Sequence, residues 1–148
     1  MSDSYTNLLH HIVFSTKDRL PFLKTKQLRT EMCSYLAGTC RNLDSPALQV
    51  GGMPDHVHIL CRLAKTITIA DLVRELKRES SKWAKEYAPD FAWQKGYGAF
   101  SLSPAHVKPA DKYILGQEAH HRTVTFQDEL RKLCRKYGLE LDERYVWR

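Results

Sequence analysis

Two histidines one residue apart, His56-Val57-His58, and a tyrosine followed four residues later by a glutamine, Tyr113 and Gln117, are the side chains here whose types and spacing suit catalysis. In a strand, residues i and i+2 leave one face, so the imidazoles point together while Val57 turns into a core. Two imidazoles side by side make half of a metal site. On a helix, residues i and i+4 share a face, which sets the Gln117 amide oxygen, a neutral third ligand, beside the Tyr113 hydroxyl. A cation so held can offset the charge of a phosphodiester and orient phosphorus for in-line displacement. Tyrosine is a weak nucleophile at its ordinary pKa of about 10 and needs such a cation and a proton acceptor. The product is a covalent phosphotyrosine, which conserves the phosphodiester energy, so a free 3′-hydroxyl can attack it and rejoin the strand. That suits strand transfer better than degradation. Imidazoles favour zinc, copper, iron or nickel, whereas phosphate chemistry favours Mg2+ or Mn2+ with oxygen ligands; Mn2+ fits the mixed set best.

The elements that must position these residues follow from periodicity. Leu8 to Phe14 reads as a strand ended by the polar turn 15–21, and Lys24 to about Leu43 as an amphipathic helix broken by Asn42 to Pro46. Leu48–Met53 and His56–Leu63 form an antiparallel hairpin about Pro54-Asp55. Thr68 precedes a second helix, with Ile69, Leu72, Val73, Leu76, Trp83 and Ala84 on its apolar side and Arg74, Lys77, Arg78 and Lys82 on a basic stripe. Phe91 to Leu102 reads as an irregular or bulged strand. Ser103-Pro104 starts the helix bearing Tyr113 and Gln117, and Thr125 to about Tyr137 is a last helix stopped by Gly138. The order β-α-β-β-α-β followed by helices predicts an α+β, ferredoxin-like (split βαβ) antiparallel sheet, with helices on one face and a C-terminal helix carrying the nucleophile. Strands one and three then lie centrally, and the other face stays open for a ligand. Residues 1–148 are one domain, too short for two of typical size.

A net charge of +6 and a pI of about 9.2 favour a polyanionic partner such as nucleic acid. Cys33, Cys40, Cys61 and Cys134 contain no CxxC pair, which argues against a zinc knuckle or disulfide framework. No stretch reaches membrane-spanning length and the start lacks a signal-peptide pattern, so a cytoplasmic protein is expected, nucleoid-associated when bound to DNA.

The segment Val50-Gly51-Gly52-Met53-Pro54-Asp55-His56-Val57-His58-Ile59-Leu60 resembles the histidine-hydrophobic-histidine (HUH) motif of the small single-tyrosine transposases of the bacterial insertion-sequence 200/605 group. His11-Ile12-Val13-Phe14-Ser15-Thr16-Lys17, the stretch Trp93 to Ser101, and Tyr113-Ile114-Leu115-Gly116-Gln117-Glu118 agree with it too, so the resemblance spans nearly the whole chain. It implies His56, His58 and Gln117 as metal ligands, Tyr113 as nucleophile, single-stranded or hairpin DNA as substrate, and a homodimer in which the tyrosine helix can dock on the partner subunit.

Other readings stand beside this one. Lys17, Arg19, Arg74, Lys77, Arg78 and Lys82 are candidate phosphate contacts, although charged helix faces and polar turns often serve solubility alone. Trp93, Tyr97 and Phe100 can stack on bases, but strand aromatics more often fill cores. Either His10 or His11 must face the histidine pair, and His11 matches the family segment. His120 and His121 follow Tyr113 closely enough to approach the site. The same sheet can serve a domesticated, non-catalytic DNA-binding protein. A histidine-triad nucleotide hydrolase fails at Leu60, where a third histidine is required.

Overall fold

Alternation along β1 (Leu8–Ser15) and β3 (His56–Leu63) divides the molecule into two faces. The computed structural model describes residues 4–120 and 124–147. β1 pairs antiparallel with β3, setting Val13 opposite His58 and Ser15 opposite His56. With β2 (Ala47–Met53) and β4 (Gly98–Leu102) the sheet has four strands in the order β2-β3-β1-β4, every neighbour antiparallel. This is the split βαβ sheet expected, with β1 and β3 at its centre.

On one face, Ile12, Phe14, Val57, Ile59 and Cys61 pack against α1 (Lys26–Asn42) and α2 (Ile69–Tyr87). Met32, Leu36 and Cys40 of α1, and Leu72, Val73, Leu76 and Trp83 of α2, recur at helical spacing, and all are buried. Each large apolar side chain so buried contributes about 1.5–3 kcal/mol. Thr25 and Thr68 begin these helices by accepting the amides of Leu28 and Asp71, each at 3.1 Å.

The opposite face carries His11, Val13, His56, His58 and Phe100, and it is less open than the sequence implies. α5 (Phe126–Lys136) lays Phe126, Leu130, Leu133 and Cys134 on Val13 and Phe100 as a second, smaller core. Tyr137 stacks on Phe100 at 4.7 Å between ring centroids, and the chain then turns at Gly138, whose φ of 71° is a left-handed helix stop.

Two local expectations change. The strand read from Phe91 is ordered as strand only over Gly98–Leu102, since Lys77 Nζ takes the carbonyls of Gln94, Lys95 and Gly96 at 2.7, 3.3 and 2.8 Å, and Phe91 packs into the core. The Tyr113 helix begins with a single 3-10 turn, Pro104–His106, continues as α3 (Val107–Leu115), and is interrupted at Gly116 before α4 (Gln117–His120). All four cysteines are free, and among the described residues no helix is long and apolar enough to cross a membrane.

Candidate active site

His56 and His58 are 1 % and 0 % exposed, and both aim Nε2 at one atom, Oε1 of Glu129, at 3.4 and 2.9 Å. Glu129 itself is 1 % exposed, and Oε1 of Gln117 lies 3.4 Å from His56 Nε2. Behind the rings, the Nδ1 of His56 donates to Asp55 Oδ1 at 2.6 Å, and the Nδ1 of His58 meets His11 Nε2 at 2.8 Å. Each imidazole is therefore gripped at both nitrogens. Burial alone lowers the His56 pKa, but the hydrogen bonds and charges of Asp55 and Glu129 outweigh it and raise the pKa above the ordinary imidazole value. Burial, aided by the neighbouring His58, pushes His11 down to about 3, which keeps that ring neutral.

Tyr113 reaches the same carboxylate from α3: its hydroxyl donates a short hydrogen bond to Oε2 of Glu129. Burial first, then the Glu129 carboxylate, push the phenol well above its usual pKa. The helix is positioned by β2. A Cβ placed on Gly51 would stand 2.6 Å from Cγ2 and 3.1 Å from the carbonyl oxygen of buried Ile114, so only glycine lets α3 lie this close. Gln49 Nε2 also donates to Asp111 Oδ1 at 3.0 Å. The i, i+4 relation of Tyr113 and Gln117 survives the break at Gly116, whose amide still bonds to Lys112 O at 3.0 Å.

Facing donor atoms of His56, His58 and Glu129 lie within 4.8 Å of one another. Two imidazoles and a carboxylate, all buried, with the Gln117 oxygen beside them, are a donor set that fits a divalent cation. Asp55 and His11 behind the ligands are the outer-shell partners such a site needs, since an imidazole that binds through Nε2 must carry its proton on Nδ1. The structure brings together both histidines, Gln117 and Tyr113, all singled out in the sequence, and adds Glu129, which was not. Its signal was an acidic residue within the apolar stripe Phe126, Leu130, Leu133 and Cys134.

The basic residues singled out in the sequence lie elsewhere. α2 occupies the sheet face away from the histidines, and its charges are matched within the helix: Arg74 with Asp71 at 3.0 Å, Arg78 with Glu75 at 2.7 Å, and Lys82 with Glu79 at 3.6 Å. Lys77 is spent on the 94–96 carbonyls. Arg19 donates to Trp147 O at 3.2 Å, and Lys17 is exposed after β1. Of the neighbouring histidines, His11 faces the site and His10 bonds to Leu8 O at 3.1 Å; the side chain of His120 and all of His121 lie outside the described residues. Trp93 packs on Phe14 and Phe91, Phe100 is buried, and Tyr97 is exposed.

No curated protein matches the chain. A protein of Deinococcus radiodurans R1 solved as a transposase shares the fold with a TM-score of 0.64 at 21% identity, over 79% of this chain and 95% of its own. A REP-associated tyrosine transposase bound to a REP hairpin does so with a TM-score of 0.62 at 15% identity, over 84% of this chain and 76% of its own. The family described as transposase IS200-like matches residues 4–117, from before β1 to Gln117, and the chain belongs to that family.

Proposed function

We propose that this transposase cuts and rejoins single-stranded DNA beside a hairpin through a 5′-phosphotyrosine on Tyr113, assisted by Mg2+ or Mn2+ at His56, His58, Glu129 and Gln117. One observation carries the reading: the Tyr113 hydroxyl and the Nε2 atoms of both histidines converge on the two oxygens of one buried carboxylate. The cation, when bound, supplies the positive charge that a phosphodiester needs before an oxygen nucleophile can approach it. In the cleavage step Tyr113 Oη bonds to phosphorus and the P–O3′ bond breaks. The phenol proton passes to Glu129 Oε2, and the departing 3′-oxygen takes a proton from water. Reversal by another 3′-hydroxyl releases Tyr113 and rejoins DNA. Hairpin DNA is the substrate class to test because a structural relative was solved bound to one. A homodimer remains part of the reading, but the catalytic groups meet within one chain.

The test is incubation with end-labelled single-stranded hairpin oligonucleotides and Mn2+, followed by denaturing electrophoresis. A covalent adduct lost in Tyr113→Phe and in excess chelator supports strand transfer. DNA binding without an adduct, indifferent to metal and to Tyr113, supports the non-catalytic binder, a reading favoured by one feature: the phenol is held as a hydrogen-bond donor with a raised pKa.

A further inference from the structure

A cavity of about 310 Å³ separates α3 from α5 and opens beside the nucleophile. One wall is Pro109, Ala110 and Tyr113 of α3 with His106 from the turn that leads into it, and the other is Glu129, Lys132, Leu133 and Lys136 of α5 with Tyr137, its C-cap. Both sets recur every three or four residues, so each is a single helix stripe facing the other. Leu102 of β4 joins the lining.

The lining is graded. At one end lies the Tyr113 hydroxyl bonded to Glu129. Pro109, Leu133 and Tyr137 make the sides apolar, and Tyr137 is steadied by its stack on Phe100. Exposed Lys132 and Lys136, one turn apart, supply positive charge at the rim. The volume is at the lower end for small-molecule sites, about 300 Å³, which excludes a duplex and suits one nucleotide unit. The α2 stripe offers no such combination, since its arginines are ion-paired on the other side of the sheet. α5 also lies beyond the residues that match the family.

We propose that this cavity seats the deoxynucleotide adjoining the scissile phosphate, its base between the apolar walls and the strand's phosphates beside Lys132 and Lys136. The proposal rests on the strand-transfer reading. It makes α5 a DNA-binding element as well as the source of Glu129.

The test uses the full chain and a fluorescent oligonucleotide with a hairpin and a single-stranded flank substituted with 5-iodouracil. Each phosphate contact on a single strand contributes roughly 0.7 to the slope of log affinity against log salt, so Lys132→Gln/Lys136→Gln should flatten it by roughly 1.4, while Arg74→Gln/Arg78→Gln leaves it unchanged. Photo-crosslinking should map to Tyr137. Ala110→Trp, which fills the cavity without changing charge, should remove that crosslink while Mn2+ binding persists. An unchanged slope in the lysine variant, or a crosslink retained in Ala110→Trp, overturns the cavity even where the Tyr113 adduct forms. Loss of the slope and crosslink with no adduct in the parent protein keeps the DNA seat and removes the strand-transfer reading instead. A parent protein that fails to bind the oligonucleotide overturns both.

Discussion

Glu129 presents its two carboxylate oxygens to different partners: Oε2 accepts the hydrogen bond of Tyr113, and Oε1 faces His58 Nε2 at 2.9 Å. Tyr113 and the histidine pair are thereby coupled through one side chain. Glu129→Gln keeps the shape and removes the charge. Mn2+ affinity should fall by at least the roughly 10–100-fold typical of losing an outer-shell partner, and the Tyr113 phenol should titrate closer to its ordinary value. Calorimetry and the ultraviolet difference spectrum against Tyr113→Phe measure both; unchanged Mn2+ affinity would remove Glu129 from the ligand set.

Asp55 acts through His56. Its carboxylate fixes the ring with the proton on Nδ1, leaving Nε2 for the site. Asp55→Ala should weaken Mn2+ binding by about 10–100-fold with little change in melting temperature, and Asp55→Asn, whose amide oxygen still accepts the Nδ1 proton, should recover part of the loss. Equal Mn2+ affinity in all three proteins would contradict the assignment.

Because Tyr113, His56 and His58 meet within one chain, mixing His56→Ala protein with Tyr113→Phe protein should not restore cleavage. In any heterodimer each site keeps one defect. Recovery of the adduct after verified subunit exchange would show that the tyrosine helix changes chains.

Lys77 gives a test of stability against pH. Burial pushes its pKa from 10.5 down to about 8, so the folded state penalises the charged ammonium in full below pH 8. The penalty fades as pH rises from about 8 towards 10.5, and stability gains over that window. In Lys77→Met this gain should vanish, as read by urea midpoints of both proteins at pH 7.5 and 10. The same variant releases the 94–96 carbonyls, so its loop amides should exchange faster.

Much of this was legible in the sequence because period-2 and period-3.6 patterns report which residues share a face. That is how His56, His58, Tyr113 and Gln117 could be grouped, and how the strand order followed. Glu129 was hidden because it meets His58 across 71 residues, a contact set by α5 folding back over the sheet rather than by local spacing. The pairing along the α2 stripe was hidden for a different reason. Asp71, Glu75 and Glu79 stand one turn from the basic residues, and such pairs neutralise a helix face that a tally of lysines and arginines reads as charged. Lys77 belongs to neither case, since its role depends on where the 94–96 loop passes.

The contact of Gly51 with Ile114 has a further consequence. Ile114 is next to Tyr113, so the clearance between an edge strand and a helix sets the height at which the phenol rides over the histidines. A single methyl at position 51 must lift α3 or push it sideways, because the 3.1 Å neighbour is backbone and cannot rotate away. On the proposed reading Gly51→Ala should slow adduct formation without altering any reacting group, while Mn2+ affinity falls less, because of the four proposed ligands only Gln117 follows directly on the displaced helix. On that reading, reactivity is adjustable from a strand that carries none of the proposed chemistry.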